Sequence, residues 1–259
     1  MTETTFGLLP LWPVPAQVRA ISTTRSGGVS SGNWGLSGGG VGGLNLGASC
    51  GDSDADVARN RQILGSWVPG PPLWLEQVHG IDVFDADLDQ ASAVSKPPRA
   101  DASITTRPGV VLAVLTADCL PILVSSVDGQ AVGAIHAGWR GLAAGVVEAT
   151  IKVLTSRCGD RQWVAWLGPA IGPGNFEVGD EVRAAFCDLD HRAQAAFSVG
   201  KATGKWYADL YQLATLRLAA AGVTTVLGGG LCTVADHDRF YSYRRDRQTG
   251  RMASVIWID

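Results

Sequence analysis

Two groups able to do chemistry stand on neighbouring apolar runs. The thiol of Cys119 lies in Thr116-Ala117-Asp118-Cys119-Leu120-Pro121-Ile122-Leu123, and the imidazole of His136 in Gly133-Ala134-Ile135-His136-Ala137-Gly138-Trp139-Arg140-Gly141. On one face of a sheet, the two could share a metal ion or act as nucleophile and base. On opposite faces they are only buried side chains. The connection Val127-Asp128-Gly129-Gln130 contains Asp-Gly, a strong hairpin signal. With Asp128 and Gly129 as a two-residue loop, Val127 pairs with Gln130. Counting back along both strands then sets His136 opposite Pro121. Cys119 shares that face and becomes a diagonal neighbour of His136, with Cβ atoms about 7 Å apart or less. A slip of one residue would separate the two groups. Pro121 has no N–H for the ladder, so the pairing weakens beside the candidate site.

His79 is a third candidate. It ends the strand-like run Leu73-Trp74-Leu75-Glu76-Gln77-Val78-His79-Gly80. Two imidazoles and a thiolate suit zinc and leave a fourth position open, where bound water can ionise near neutral pH. Copper accepts the same ligands. The three residues come from separate segments, so their spacing is not diagnostic. A metal site, a Cys119–His136 nucleophile pair and ordinary core residues all remain open at this point. His191 and His237 have polar neighbours and read as surface residues. Arg140 precedes a helix expected to start near Gly141. A guanidinium there could bind phosphate in bidentate fashion, or form a solvent salt bridge. Asp118 orients a neighbour or ends the strand.

Composition removes other classes of function. The chain has 259 residues, 46% hydrophobic and 17% charged, enough for a substantial core. A net charge of −3 and the lack of a Lys/Arg cluster argue against a nucleic-acid surface. No apolar run approaches the roughly 20 residues of a membrane span. Met1-Thr2-Glu3-Thr4 does not resemble a secretory leader, so a cytoplasmic protein is expected. Five scattered cysteines without Cys-x-x-Cys argue against a disulfide framework. Cys158, Cys187 and Cys232 read as small buried side chains.

The elements that must position the candidates follow from periodicity. Residues 18–24, 110–115, 120–125, 131–135, 163–167, 223–227, 241–244 and 253–258 read as strands. Residues 52–64, 141–156, 178–186 and 210–221 read as helices, with Asp52, Ser53 or Asp54 as possible caps of the first. Gln248-Thr249-Gly250-Arg251 fits a turn before the last strand. Residues 35–43 are glycine-rich and read as a mobile insert. Gly38-x-Gly40-x-x-Gly43 has neither the preceding strand nor the following helix of a dinucleotide site. Hairpins with interspersed helices favour an α+β or mixed α/β fold over a doubly wound parallel sheet.

Several of these segments together resemble the YfiH-like laccase-domain family. They are Leu75-Glu76-Gln77-Val78-His79-Gly80, Thr116-Ala117-Asp118-Cys119-Leu120-Pro121, His136-Ala137-Gly138-Trp139-Arg140-Gly141 and Trp166-Leu167-Gly168-Pro169-Ala170-Ile171-Gly172. Phe176-Glu177-Val178-Gly179 and Ser242-Tyr243-Arg244-Arg245-Asp246 add to them. The resemblance runs from about Arg19 to the C-terminus. It implies a single domain over residues 1–259, a layered α/β/β/α sandwich whose central hairpin carries the site. It implies a metal, zinc or alternatively copper, held by His79, Cys119 and His136, which are then also the catalytic residues. The activity implied is that of a purine nucleoside phosphorylase acting on adenosine, inosine and methylthioadenosine, with adenosine deaminase activity. Alternatives are a peptidoglycan-precursor editing amidase, a copper-dependent polyphenol oxidase and a non-enzymatic binding module. On the phosphorylase reading, Arg140 with Arg25 holds phosphate and Asn45 binds the sugar or base. The partners are then a nucleoside and phosphate, with no nucleic acid and no membrane, and a monomer is the expected state. One position departs from the pattern. Ser49 stands where the family usually has histidine in Asn45-Leu46-Gly47-Ala48-Ser49, and serine cannot carry a proton near neutral pH as imidazole does. The glycine-rich stretch before Asn45 is also longer than expected.

Overall fold

Alternation of side chains along the strands builds this molecule from the middle outward. The structure, a computed structural model, describes residues 2–4, 7–88 and 96–259. One antiparallel sheet runs Thr2–Thr4, Gly7–Leu9, Val18–Thr23, Met252–Ile258, Leu112–Thr116. A second runs Thr225–Gly228, Trp163–Leu167, Leu120–Ser126, Val132–Ala137, Ala102–Thr105, Val83–Asp85. Its inner pairs are antiparallel and its two outermost pairs parallel. A small third sheet joins Glu177–Gly179, Lys205–Ala208 and Phe197–Val199.

Successive residues of a strand face opposite ways, and the cores obey that rule. Leu112, Val114, Ile256 and Ile258 pack against Leu123, Ala134 and Trp166 between the two large sheets. Their sequence neighbours Ala113, Val255 and Trp257 face outward with Leu44, Leu46 and Leu64. Ile122, Val124 and Ile135 face the other outer side, against Val147, Ile151 and Leu154. The layers are therefore helix, sheet, sheet, helix, as expected.

The helix Asp54–Gly65 forms the first outer layer; its N-cap is Ser53, whose hydroxyl accepts the Asp56 amide. On the opposite side the expected helix over 141–156 is two helices, Trp139–Ala144 and Val146–Cys158. Gly145 breaks them at φ 105°, a conformation that costs glycine little and other residues more. Helical spacing of the apolar residues continues across the break, which is why periodicity alone does not reveal it. The other helices expected are Asp180–Cys187 and Leu210–Ala220, the latter followed by Gly222 at φ 84°.

Four other expectations are corrected. Residues 73–80 are not a strand; they make only single bridges, Leu73 with Leu112 and Glu76 with Arg99. Residues 241–244 are not a strand either. They lead into the short helix Tyr243–Asp246, whose cap Ser242 accepts the Arg245 amide. The hairpin loop is longer than two residues: Ser126 accepts the amides of Gln130 and Ala131 through its hydroxyl, and only Gly129 of Asp-Gly has positive φ. Residues 35–43 are clasped into the fold, because Gly35 accepts Arg25 and Gly43 bridges to Ser26 and Ser30. The strands Ala102–Thr105, Val83–Asp85 and the whole third sheet were not anticipated.

Candidate metal centre

The hairpin register carries Cys119 and His136 together. Pro121 pairs with His136, the pairing inferred from the turn. The longer loop leaves this unchanged, since it takes one residue from each strand. Cys119 itself lies just outside the strand, after Asp118 at φ 97°. That strained backbone is held from three sides. The Asp118 carboxylate accepts the Thr233 hydroxyl at 2.6 Å and the Arg244 amide at 2.6 Å, and its carbonyl accepts the Ile171 amide.

His79 arrives from the loop at φ 61°, its ring edge-on to that of His136 with centroids 4.8 Å apart. Ligand atoms of His79, Cys119 and His136 all lie within 4.8 Å of one another. Cys119 Sγ stands 3.7 Å from His79 Nε2. Tetrahedral zinc with bonds of about 2.3 Å to sulfur and about 2.0 Å to nitrogen needs an S···N edge near 3.6 Å, so the donors present fit such an ion. Copper shares the donor set. Among the described residues this is the one group of three or more His, Cys, Asp or Glu with that geometry.

Two glycines make room. A Cβ on Gly138 would stand 2.7 Å from His79 Cδ2 and 3.1 Å from Cys119 Sγ, and one on Gly141 would stand 2.7 Å from the Gly80 carbonyl. The helix Trp139–Ala144 can start against the site only because both are bare.

Electrostatics favour a charged thiol. Burial pushes Cys119 up, but the charge of His136 and hydrogen bonds from both rings outweigh it and bring it down to about 6. Burial pushes His136 down, yet Cys119 and Asp101 outweigh that and raise it to about 9. His136 Nδ1 stands 2.8 Å from Asp101 Oδ1, which turns Nε2 toward the site. The sign of the thiol shift makes a test. In chelator-stripped protein, Cys119 should be mostly thiolate at pH 7 and lose that form as pH falls through about 6. Iodoacetamide labelling of the Cys119 peptide, followed by mass spectrometry, should be half-maximal near that pH rather than near the ordinary value of about 8.5. A midpoint above pH 8 would contradict the ion pair.

The remaining candidates sit elsewhere. Arg140 is exposed at the second position of its helix, stacked on Trp139 with its guanidinium carbon 4.4 Å from the ring centre. Contrary to the expectation that it precedes the helix, Arg140 lies within it, because the helix starts at Trp139. Arg25 is buried, giving its N–H groups to the carbonyls of Gly35 and His237 and lying over Tyr241. Asn45 is fully buried. Its amide donates to Gly47 and Asp52, and its oxygen accepts from Gly47 and Arg251. Ser49 is exposed on the turn that Asn45 anchors. His191 and His237 are exposed, as expected. All five cysteines are free; Cys158, Cys187 and Cys232 are half-buried rather than buried. Sequence reasoning missed Asp101, Thr233 and Gly138. For Asp101 a signal existed: a lone acid between Ala100 and Ala102, directly before the strand residues 102–105.

Stacked sheets with a His/Cys/His cluster at the end of their central hairpin define a class of mixed α/β proteins with a candidate metal centre. The chain belongs to the multi-copper polyphenol oxidoreductase laccase family, whose model matches residues 19–259. It is 50% identical to a purine nucleoside phosphorylase of Pseudomonas aeruginosa over 97% of this chain and 98% of that protein. It is 49% identical to purine nucleoside phosphorylase YfiH of Escherichia coli, again over 97% and 98%. A Neisseria meningitidis crystal structure superposes with TM-score 0.89 at 46% identity, covering 99% of this chain and all of that one.

Proposed function

We propose that this protein is a metal-dependent purine nucleoside phosphorylase acting on adenosine, inosine and methylthioadenosine, with adenosine deaminase activity at the same centre. The observation that carries the reading is the convergence of His79, Cys119 and His136 in a chain nearly half identical to proteins named purine nucleoside phosphorylase. Zinc, or alternatively copper, bound there supplies Lewis-acid polarisation and a fixed positive charge. The protein's own groups do the rest. Cys119 presents a thiolate, and His136 keeps its Nδ1 side on Asp101 so that Nε2 serves the site. Arg140, exposed and without a carboxylate partner among the described residues, is the group for phosphate. In phosphorolysis a phosphate oxygen bonds to ribose C1′ as the bond to the purine nitrogen breaks, giving ribose-1-phosphate and free base. In deamination, water adds at C6 and ammonia leaves.

The family's name points to oxidation by several coppers, but the histidines of this chain do not favour it. The chain has four histidines, and two of them are exposed away from the cluster. Asn45 has no hydrogen-bonding capacity left for a sugar, and we assign it the role of loop anchor. Asn45→Ala should cost about 2–4 kcal/mol of stability by orphaning buried amides, read as a lower melting midpoint, with KM for nucleoside unchanged in the folded fraction. A raised KM at unchanged stability would restore it as a substrate contact. No helix among the described residues is long and apolar enough to cross a membrane. The reading places the protein in the cytoplasm, as a monomer.

Incubation of zinc-loaded protein with adenosine and phosphate should yield adenine and ribose-1-phosphate, and without phosphate it should yield inosine. No product from adenosine, inosine or methylthioadenosine, with zinc or copper loaded, would end the reading.

A further inference from the structure

We propose that Asp101 is the positioning residue for both histidines of the centre, so that one buried carboxylate sets the spacing between two ligands from unconnected segments. The inference rests on reading the triad as a metal site.

Asp101 is fully buried. Its Oδ1 lies 2.8 Å from His136 Nδ1 and accepts the His79 amide at 2.9 Å. Its Oδ2 accepts the Gly80 amide at 2.6 Å and the Val78 amide at 3.2 Å. Three consecutive backbone amides thus converge on one carboxylate, a nest that suits an anion. The nest explains how His79 keeps φ 61°, a backbone state that side chains other than glycine seldom adopt. The His79 side chain is exposed, so burial does not fix its backbone conformation. No regular strand holds its backbone either, since residues 76–80 carry only a bridge at Glu76.

Asp101 is itself fixed on both sides by main-chain bonds. Its carbonyl accepts the His136 amide at 2.7 Å, and its amide donates to Asp82 at 3.0 Å. The next residue, Ala102, enters the ladder opposite Ile135. The carboxylate therefore refers the His79 turn to the strand that carries His136. It acts on one ligand through its ring and on the other through its backbone. An asparagine there keeps the shape but offers one oxygen and an NH₂, which faces N–H donors and cannot accept them.

The test measures zinc affinity by chelator competition and the visible spectrum of the cobalt-substituted protein. Asp101→Asn should bind zinc about 10–100-fold more weakly than wild type, with a changed cobalt spectrum. In a His136→Ala background, Asp101→Asn should weaken zinc binding again, because the His79 turn is lost as well. No additional loss in that background would overturn the double role, and unchanged affinity in the single variant would overturn the proposal altogether. Absence of zinc binding by wild type would instead sink the metal reading beneath it. If Asp101→Asn does not fold, hydrogen exchange of wild type decides. The amides of Val78, His79 and Gly80 should be strongly protected, and exchange at open-loop rates would overturn the proposal.

Discussion

Cys119→Ala and His136→Ala should each purify without bound metal after dialysis, while wild type retains it. Apparent binding energies of structural zinc are about 10–16 kcal/mol, so removing one of three protein ligands should cost about 3–5 kcal/mol. That is a loss of roughly a hundred- to ten-thousandfold in affinity. The fold should survive both changes. Cys119 lies outside its strand, and the Asp101 carboxylate keeps three amide partners when the His136 ring is removed. Metal content by mass spectrometry, with melting curves as the control for folding, reads the result. Equal zinc in the three proteins would remove the centre.

Gly138→Ala should damage the same centre without touching a ligand. The added methyl carbon would stand 2.7 Å from His79 Cδ2 and 3.1 Å from Cys119 Sγ. The first contact forces a shift and the second is tighter than ordinary packing, and the backbone is held on both sides, since Gly138 joins the strand Val132–Ala137 to the helix Trp139–Ala144. Its φ of −66° suits alanine, so backbone strain adds nothing and the effect is steric. The ligands must therefore move by several tenths of an ångström, and metal bonds tolerate about 0.2 Å. Zinc affinity should drop by about 10–100-fold, comparable to loss of a supporting contact. Chelator competition beside an unchanged far-ultraviolet spectrum checks this. Wild-type affinity in Gly138→Ala would show that His79 has freedom the structure denies it.

Both expectations start from a register that the chain announces locally. Asp-Gly between two β-branched runs fixes the pairing of Pro121 with His136, and a loop widened symmetrically leaves that pairing intact. Strand and helix positions dominated by periodicity are legible for the same reason, as in Trp163–Leu167 and Leu210–Ala220. The segment around His79 was legible only in composition. Apolar residues 73–75 look like a strand, but the conformation of residues 78–80 depends on a carboxylate distant in sequence. Tyr243–Asp246 is similar: the stretch beginning at Tyr241, expected as a strand, turns into a short helix where the Arg244 amide docks on Asp118. Asn45 and Arg25 looked free for substrate because sequence shows donors and acceptors but not their partners.

The sequence by itself determined which side chains share a face, because alternation and turn chemistry act over a few residues. It thereby determined the mixed α/β class of the fold and the meeting of Cys119 with His136, whereas the order of the strands in the stacked sheets was not readable from periodicity. Only the tertiary structure decided how His79 joins them, which glycines must stay bare beside them and which carboxylate aligns both rings. Those outcomes depend on contacts between segments far apart in the chain, such as Asp101 against residues 78–80 and Gly138 against Cys119. Local preference does not encode such contacts; close packing does.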